Sequence, residues 1–128
     1  MWYHSSSRVD RRETVFHEPG DYDAFLQAMI DARRRVPVDL LGYCLMPNHF
    51  HVVVRPREDG DLGRFVQWLL TAHVWRYHRR RGTTGHVWQG RLEAFPIEDD
   101  HHLVTVLRYV EHYASRAELV ARAEEWKW

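Results

Sequence analysis

The stretch LMPNHFHVVV at residues 45–54 decides how this chain folds. Pro47 fixes φ and Asn48 tolerates tight backbone geometry, so this pair predicts a turn. The aromatic and β-branched residues that follow favour a strand, whose side chains alternate between two faces. His49 and His51 therefore share one face, about 7 Å apart along a strand that rises roughly 3.4 Å per residue.

Two imidazoles on one face of a strand have two interpretations. They can converge on one metal ion or one phosphate group, because a neutral imidazole is a common metal ligand and its N–H can donate to a phosphate. They can equally face solvent or hydrogen bond to neighbouring residues. The opposite face, with Phe50, Val52 and Val54, is expected to be core, so a function has to be sought on the histidine side.

Length and composition limit the class of protein. The chain has 128 residues, of which 45% are hydrophobic, and this predicts one globular domain over residues 1–128. Cys44 is the only cysteine, which excludes a disulfide framework and a four-cysteine zinc site. The N-terminus lacks an apolar signal core and no stretch is long enough to span a bilayer, so a cytoplasmic protein without membrane contact is expected.

Charge is balanced overall but uneven along the chain. The net charge is zero with neutral histidines, which gives no global attraction to nucleic acid. Arginines nevertheless cluster at residues 33–35 and 76–81, and the chain contains ten histidines. The second cluster is expected at the end of a helix, where cations favour the helix dipole, and it can equally bind a phosphate backbone.

Hydrophobic periodicity predicts alternating helices and strands around the histidine hairpin. Helices are expected from Asp21, as N-cap, to residue 35, from Asp61 to about Arg81, and after residues 99–100; strands are expected over residues 38–45, 50–54 and 92–97. Residues 2–16 are hard to interpret, because three serines interrupt the apolar alternation. This order predicts an α+β fold, with an antiparallel sheet and helices packed mainly on one face.

The third helix carries a tyrosine beside its apolar stripe. The stripe consists of residues that recur at helical spacing: Leu103, Val106, Leu107, Val110 and Ala114. At about 100° per residue, Tyr109 falls on the neighbouring flank with His112 and Arg116. Tyr109 is therefore expected to leave the edge of the core and face a cleft.

Three segments of the chain resemble the REP-associated tyrosine transposases, which are IS200-like transposases of the HUH endonuclease superfamily. They are YCLMPNHFHVVV at residues 43–54, VWQGR at residues 87–91 and LRYVE at residues 107–111. HUH denotes two histidines that flank a bulky hydrophobic residue, which here is Phe50. The resemblance covers nearly the whole chain from about Tyr3 onward.

The resemblance implies a ferredoxin-like or RRM-like sheet that carries the histidines, and a helix that presents Tyr109 as the catalytic residue. It implies that His49 and His51 hold Mg²⁺ or Mn²⁺, and that the metal polarises a phosphate of single-stranded or hairpin DNA. Tyr109 would attack this phosphate to give a 5′-phosphotyrosine link and a free 3′-hydroxyl, and a second strand end would reverse the attack. Because the covalent intermediate retains the phosphodiester energy, strand transfer needs no nucleotide cofactor.

The resemblance also assigns supporting residues. Relatives usually carry an asparagine four residues after the tyrosine, and this chain has Tyr113 there. His112, which lies on the Tyr109 flank at helical spacing, is therefore the expected third metal ligand. The arginines expected to bind DNA are Arg8, Arg76, Arg79, Arg80, Arg91 and Arg116. A bacterial, nucleoid-associated protein that acts as a monomer or homodimer is implied.

Two other functions stay open at this point. A catalytically impaired copy of the same fold would bind DNA hairpins without forming a covalent product, and Tyr113 favours this alternative. A metal-dependent hydrolase of a small phosphate ester would use His49 and His51 as ligands and Tyr109 only for packing. No carboxylate cluster accompanies the histidines in the sequence, which makes the hydrolase the weakest of the three hypotheses.

Overall fold

Four strands and three helices make up the parts of the chain that the computed structural model describes, residues 1–8, 15–82 and 88–111. The side chains of residues 8, 89–92 and 111 are outside this description. In chain order the elements are β1 (Trp2–Arg8), α1 (Pro19–Arg35), β2 (Val38–Met46), β3 (His49–Pro56), α2 (Asp61–Arg81), β4 (Gln89–Ile97) and α3 (Asp100–Glu111). The strands form an antiparallel sheet in the order β2-β3-β1-β4, which gives the predicted ferredoxin-like βαββαβ arrangement followed by α3.

Helix α1 begins before the predicted N-cap. Its N-cap is Glu18, and Pro19 occupies the first helical position, where the missing N–H of proline costs no hydrogen bond. Asp21, expected as the N-cap, lies in the first turn instead, and its carboxylate accepts hydrogen bonds from the backbone N–H groups of His17 (2.8 Å) and Glu18 (3.1 Å). The predicted position is wrong because an acidic side chain in the first turn can reach back to the cap.

The N-terminal segment, which gave no clear pattern, is a central strand. β1 pairs antiparallel with β3 on one side and with β4 on the other. Ser5 and Ser7 are buried opposite Val52 and Phe50, whereas His4 belongs to the other face. The alternation of a strand is therefore present, but serine carries it in place of the aliphatic residues that hydrophobic periodicity detects.

The sheet is covered on both faces. α1 and α2 pack on the face that carries Phe50, which we call the paired-helix face, and α3 packs on the opposite face, which we call the histidine face. The core of the paired-helix face includes the fully buried Phe25, Phe50, Phe65 and Leu69. The core of the histidine face joins Leu103, Val106, Leu107 and Val110 of α3 to Cys44, Met46, Val53 and Ile97. Helices lie mainly on one face, as predicted, and α3 alone among the described helices covers the histidines.

The remaining element boundaries follow the sequence closely. α2 spans Asp61–Arg81 as predicted, whereas β4 begins at Gln89, three residues before the predicted start of this strand at residue 92. α3 begins at Asp100, and Asp99 caps it by accepting a hydrogen bond from the backbone N–H of His102 (2.7 Å). Within the described residues, no helix combines the length and apolar character that crossing a membrane requires.

A glycine in β2 lies directly beneath α3. A Cβ atom built on Gly42 would be 3.0 Å from Cδ2 of Leu107. The pairing of β2 with β3 shifts register between Leu40 and Gly42, which marks a bulge at this point. Because glycine has no side chain, α3, the helix that also carries Tyr109, can pack close to the sheet here.

Candidate functional site

The hairpin turn after β2 delivers His49 at the first position of β3. The turn is also held from outside the hairpin, because the carbonyl oxygen of Pro47 accepts hydrogen bonds from the N–H groups of Val15 (2.8 Å) and Phe16 (3.2 Å). Proline cannot donate a backbone hydrogen bond, but its carbonyl remains a full acceptor. The start of β3 is therefore fixed by both the turn and the segment that leads into α1.

His49 has a defined hydrogen-bond partner. His49 is buried, with only 4% of its surface exposed, and its Nδ1 is 2.7 Å from the amide oxygen of Asn48. Because an amide oxygen only accepts, Nδ1 of the neutral ring carries the hydrogen and donates it. The lone pair of the ring then lies on Nε2, which is buried. The turn residue Asn48 thus orients the ring that follows it.

His51 follows the same pattern with a different partner. It is buried, its Nδ1 lies 3.0 Å from Nε2 of His4 in β1, and its Nε2 is shielded from solvent. The rings of His49 and His51 are 5.0 Å apart between centroids and nearly perpendicular, at 84°. The two histidines therefore lie on one face, as the strand pattern predicts, and both rings are engaged through Nδ1.

His4 is a site residue that the sequence did not reveal. Its ring is 5.2 Å from that of His51, and burial lowers its pKa despite the opposing charge of Glu93. Ser6 is directly opposite His51 in the register and His4 is opposite Val53, so His4 meets His51 diagonally. Only the assignment of β1 as the neighbour of β3 exposes this contact, and the serines had obscured that strand.

Tyr109 lies on α3 over the histidine face. Its side chain is 46% exposed, whereas the next residue, Val110, is fully buried. The Tyr109 ring meets the ring of His4 edge-on, with 6.3 Å between centroids. The fold thus brings the tyrosine to the same face as the histidine pair, and His4 contacts both His51 and Tyr109. The predicted departure of Tyr109 from the apolar stripe is observed.

The histidine pair fits part of a metal shell. Metal-binding histidines donate their second ring N–H to an acceptor, and the hydrogen bond from His49 to Asn48 has this form. The described residues contain no group of three or more His, Cys, Asp or Glu side chains that could hold a metal ion. Further ligands would have to come from a substrate phosphate, from water or from other parts of the chain. His112 and Tyr113 lie outside the described residues.

The arginines of α2 lie across the sheet from the histidines, because α2 packs on the paired-helix face. Arg76 pairs with Asp31 of α1 (2.8 Å), and Arg80 (3.2 Å) and Arg81 (2.8 Å) pair with Asp21. Burial raises the pKa of Asp21, but backbone hydrogen bonds and the two guanidinium charges outweigh burial, so the pKa lies below its ordinary value. These arginines join α1 to α2, a role that their clustering in the sequence does not reveal.

The other arginines expected to bind DNA have different surroundings. The guanidinium of Arg79 lies over the exposed ring of Trp75, 5.2 Å from its centroid. Arg8 is opposite the first histidine of β3 in the strand register, and its side chain is outside the description, as is that of Arg91. Arg116 lies outside the described residues altogether. The structure therefore brings none of the described arginine side chains of α2 to the histidine face.

The fold and the histidine face together define the class of protein. A ferredoxin-like sheet carries a His-x-His strand, and a separate helix holds a tyrosine over the same face. The family described as "Transposase IS200 like" matches residues 1–113. The chain therefore belongs to the IS200-like transposase family, which confirms the resemblance found in its sequence. Transposases of this type generally use a divalent metal.

Two solved structures have the same fold. One is a REP-associated tyrosine transposase bound to a REP hairpin, with a TM-score of 0.82 and 16% identity over 99% of this chain and 73% of that chain. The other is a candidate transposase from Deinococcus radiodurans R1, with a TM-score of 0.63 and 17% identity over 88% of this chain and 89% of that chain. At these identities the likeness establishes the fold alone. No curated protein sequence matches the chain.

Proposed function

We propose that this protein nicks single-stranded DNA beside a hairpin and transfers the strand through a 5′-phosphotyrosine intermediate at Tyr109. The observation that carries the proposal is the pairing of two buried histidines with an exposed tyrosine on one face of the sheet. His49 and His51 would hold Mg²⁺ or Mn²⁺ through their Nε2 atoms, with His112 as a further ligand. Membership of a transposase family supports DNA as the substrate.

In this reaction Tyr109 acts as the nucleophile. Its hydroxyl loses a proton as its oxygen attacks phosphorus, the bond from phosphorus to the 3′-oxygen breaks, and that oxygen leaves with a proton as a 3′-hydroxyl. A phenol has a pKa near 10, so attack needs help at neutral pH. A divalent cation held by the histidines would supply this help as a Lewis acid on the phosphate. Tyr109 is 46% exposed, so a DNA strand can approach the helix that carries it.

A DNA hairpin is the substrate class that we propose. The solved relative with the same fold was determined bound to a REP hairpin. Arg8, Arg79, Arg91 and Arg116 would contact the phosphate backbone, with a smaller contribution from Arg76 and Arg80 because these two already pair with carboxylates of α1. The protein would act on the bacterial nucleoid as a monomer or homodimer.

A covalent-attachment assay tests this function. Pooled DNA hairpins with randomised single-stranded flanks and a label at the 3′ end are incubated with the protein and Mn²⁺, and denaturing gels detect labelled protein. Tyr109→Phe is expected to abolish the adduct while DNA binding persists. Tyr43→Phe is the matched control, because Tyr43 is a partly exposed tyrosine of β2, and it should keep the adduct. An undiminished adduct in Tyr109→Phe would exclude Tyr109 as the nucleophile.

A second function, hairpin binding without cleavage, is favoured by one feature of the chain. Tyr113 occupies the position at which relatives usually carry an asparagine, and tyrosine is a poor substitute for a neutral amide ligand. A binding module would retain salt-dependent affinity for the same hairpins. It would form no covalent adduct with Mg²⁺ or Mn²⁺, so the attachment assay separates the two functions directly.

A further inference from the structure

His4 contacts both parts of the proposed site, the histidine pair on β3 and Tyr109 on α3. Its Nε2 is 3.0 Å from Nδ1 of His51, and its ring lies edge-on to the ring of Tyr109. It stands on β1, the strand next to β3 and near the middle of the sheet, so its backbone is fixed by pairing on both sides. The proposed function gives roles to Tyr109, His49 and His51, but it assigns none to His4, which contacts two of them.

We propose that His4 is a positioning residue that holds the ring of His51 in the tautomer and orientation in which Nε2 binds the metal. The proposal rests on the proposed function, in which His51 is a metal ligand. A neutral histidine that offers Nε2 as a ligand carries its hydrogen on Nδ1. Nδ1 of His51 then donates to Nε2 of His4, which accepts, and His4 keeps its own hydrogen on Nδ1.

The two candidate ligands thereby have equivalent support from different parts of the fold. Asn48 of the hairpin turn accepts from Nδ1 of His49 at 2.7 Å, and His4 of the neighbouring strand accepts from Nδ1 of His51 at 3.0 Å. Groups that hold metal-binding histidines in this way fix the ring and raise its basicity. The contact made by His4 is to Nδ1 of His51, the atom that the metal would leave unused.

Metal binding provides a test that does not depend on catalysis. Mn²⁺ alone is titrated into the wild-type protein, and electron paramagnetic resonance measures the free ion. His4→Leu, which removes the acceptor, is expected to weaken Mn²⁺ binding by about 10- to 100-fold. His4→Gln, whose side-chain oxygen can accept from Nδ1, should recover most of the loss. His101→Leu is the matched control, because His101 is an exposed histidine of α3, and it should bind Mn²⁺ like the wild type.

The same titration separates a failure of this proposal from a failure of the proposed function. If His51→Ala loses Mn²⁺ and a folded His4→Leu keeps it, His4 does not position the ligand and only this proposal fails. If His49→Ala and His51→Ala both bind Mn²⁺ like the wild type, the metal site itself is wrong and both proposals fail. A pulsed-resonance count of coordinated protein imidazoles that falls by one in folded His4→Leu, relative to the wild type, would make His4 a direct ligand and overturn its positioning role.

A measurement on the wild-type protein covers the case in which His4→Leu does not fold. Nitrogen NMR of ¹⁵N-histidine-labelled protein with Mg²⁺ detects the coupling across an N–H···N hydrogen bond and shows which nitrogen carries the hydrogen. The expected result is a coupling between Nδ1 of His51 and Nε2 of His4, with the hydrogen on Nδ1. A hydrogen on Nε2 of His51 would overturn the proposal.

Discussion

The two faces of the sheet both bury histidine, and they do so in opposite ways. On the paired-helix face, His73 lies among the rings of Phe25 and Trp88, and its Nδ1 accepts a hydrogen bond from the indole N–H of Trp88 (3.1 Å). On the histidine face, Nδ1 of His49 donates to the amide oxygen of Asn48. The neutral ring of His73 therefore carries its hydrogen on Nε2, whereas the ring of His49 carries it on Nδ1.

The direction of the Nδ1 hydrogen bond separates a core histidine from a candidate ligand. When Nδ1 accepts, the neutral ring carries its hydrogen on Nε2 and has no lone pair there for a metal. This is the state of His73, whose Nε2 has no hydrogen-bond partner among the described residues. Burial, with the charges of Arg80 and Arg76, lowers the pKa of His73 to about 4, so its ring is neutral at pH 7. In a chain with ten histidines, this criterion is sharper than burial alone.

The largest expected effect comes from making the same substitution on both faces. His51→Leu should reduce the initial rate of covalent DNA attachment by more than the roughly 100-fold that loss of a supporting group can cause, because a proposed ligand is removed. His73→Leu should leave the rate within a few-fold of wild type, because His73 packs on the paired-helix face, across the sheet from Tyr109. Denaturing gels measure the rate, and circular dichroism measures the folded fraction of each variant.

This pair of variants can break the comparison. Equal loss of attachment in folded His51→Leu and His73→Leu would show that the direction of the Nδ1 hydrogen bond does not separate a metal ligand from a core histidine. Retained attachment in His51→Leu would remove His51 from the site.

The second effect concerns stability and should be larger on the paired-helix face. Phe50 is fully buried among the rings of Phe25 and Trp88, so Phe50→Ala should lower the free energy of unfolding by about 3–5 kcal/mol. Val53→Ala, on the histidine face, removes fewer buried atoms and should cost less. Urea unfolding followed by tryptophan fluorescence measures both. A larger loss in Val53→Ala would mean that α3, rather than α1 and α2, provides the main core.

The third effect is a dependence of stability on pH that arises from the paired-helix face. The pKa of His73 is about 4 in the folded state and 6.5 in the unfolded chain. Between these pH values the unfolded state therefore binds a proton at His73 and the folded state does not. His73 does not lower the free energy of unfolding above pH 6.5, where its ring is neutral in both states. As the pH drops to 4, proton binding by the unfolded state lowers the free energy of unfolding by about 3 kcal/mol. His73→Leu should lose this part of the dependence. Urea unfolding at pH 7 and pH 4.5 measures it, and an identical decrease in both proteins would exclude His73 as the source.

The hairpin and its two histidines were predictable because local signals agree there. Pro47 and Asn48 specify the turn, and the β-branched run after His51 specifies the strand, so the shared face follows from alternation. The apolar stripe of α3 likewise predicted that Tyr109 leaves the core. Each of these features depends on residues that are close in sequence.

The contact that β1 makes with the histidine pair was not predictable, because it joins residues far apart in sequence. His4 is 47 positions from His51, and its contact exists only in the β1–β3 register. The same reason explains the arginines of α2. Arg76 and Arg80 resemble a phosphate-binding cluster in sequence, yet in the fold each pairs with a carboxylate of α1. Charge patterns give the residues that can bind DNA, whereas tertiary pairing determines which of them already have an ionic partner.

The smallest expected effect tests whether the spacing of α3 matters to the histidine face. Gly42→Ala would place a Cβ atom 3.0 Å from Cδ2 of Leu107, so α3 or the leucine must shift by a few tenths of an ångström. If 1 Å of misplacement costs about 100-fold in rate, such a shift should slow DNA attachment at Tyr109 by roughly fourfold. Stability should change by less than about 1 kcal/mol, because alanine restricts the unfolded chain and offsets part of the crowding.

Gly63→Ala is the matched control on the opposite face. A Cβ on Gly63 of α2 would have no neighbour within 4 Å outside its own helix, and alanine favours a helix over glycine by up to about 1 kcal/mol. Gly63→Ala should therefore unfold at equal or higher urea concentration and attach DNA at the wild-type rate. If Gly42→Ala also attaches DNA at the wild-type rate, Leu107 alone absorbs the added methyl group, and the position of Tyr109 does not depend on how closely α3 approaches β2. A slower rate at unchanged stability would separate the two faces by function, since the same substitution would then affect chemistry only where α3 covers the histidines.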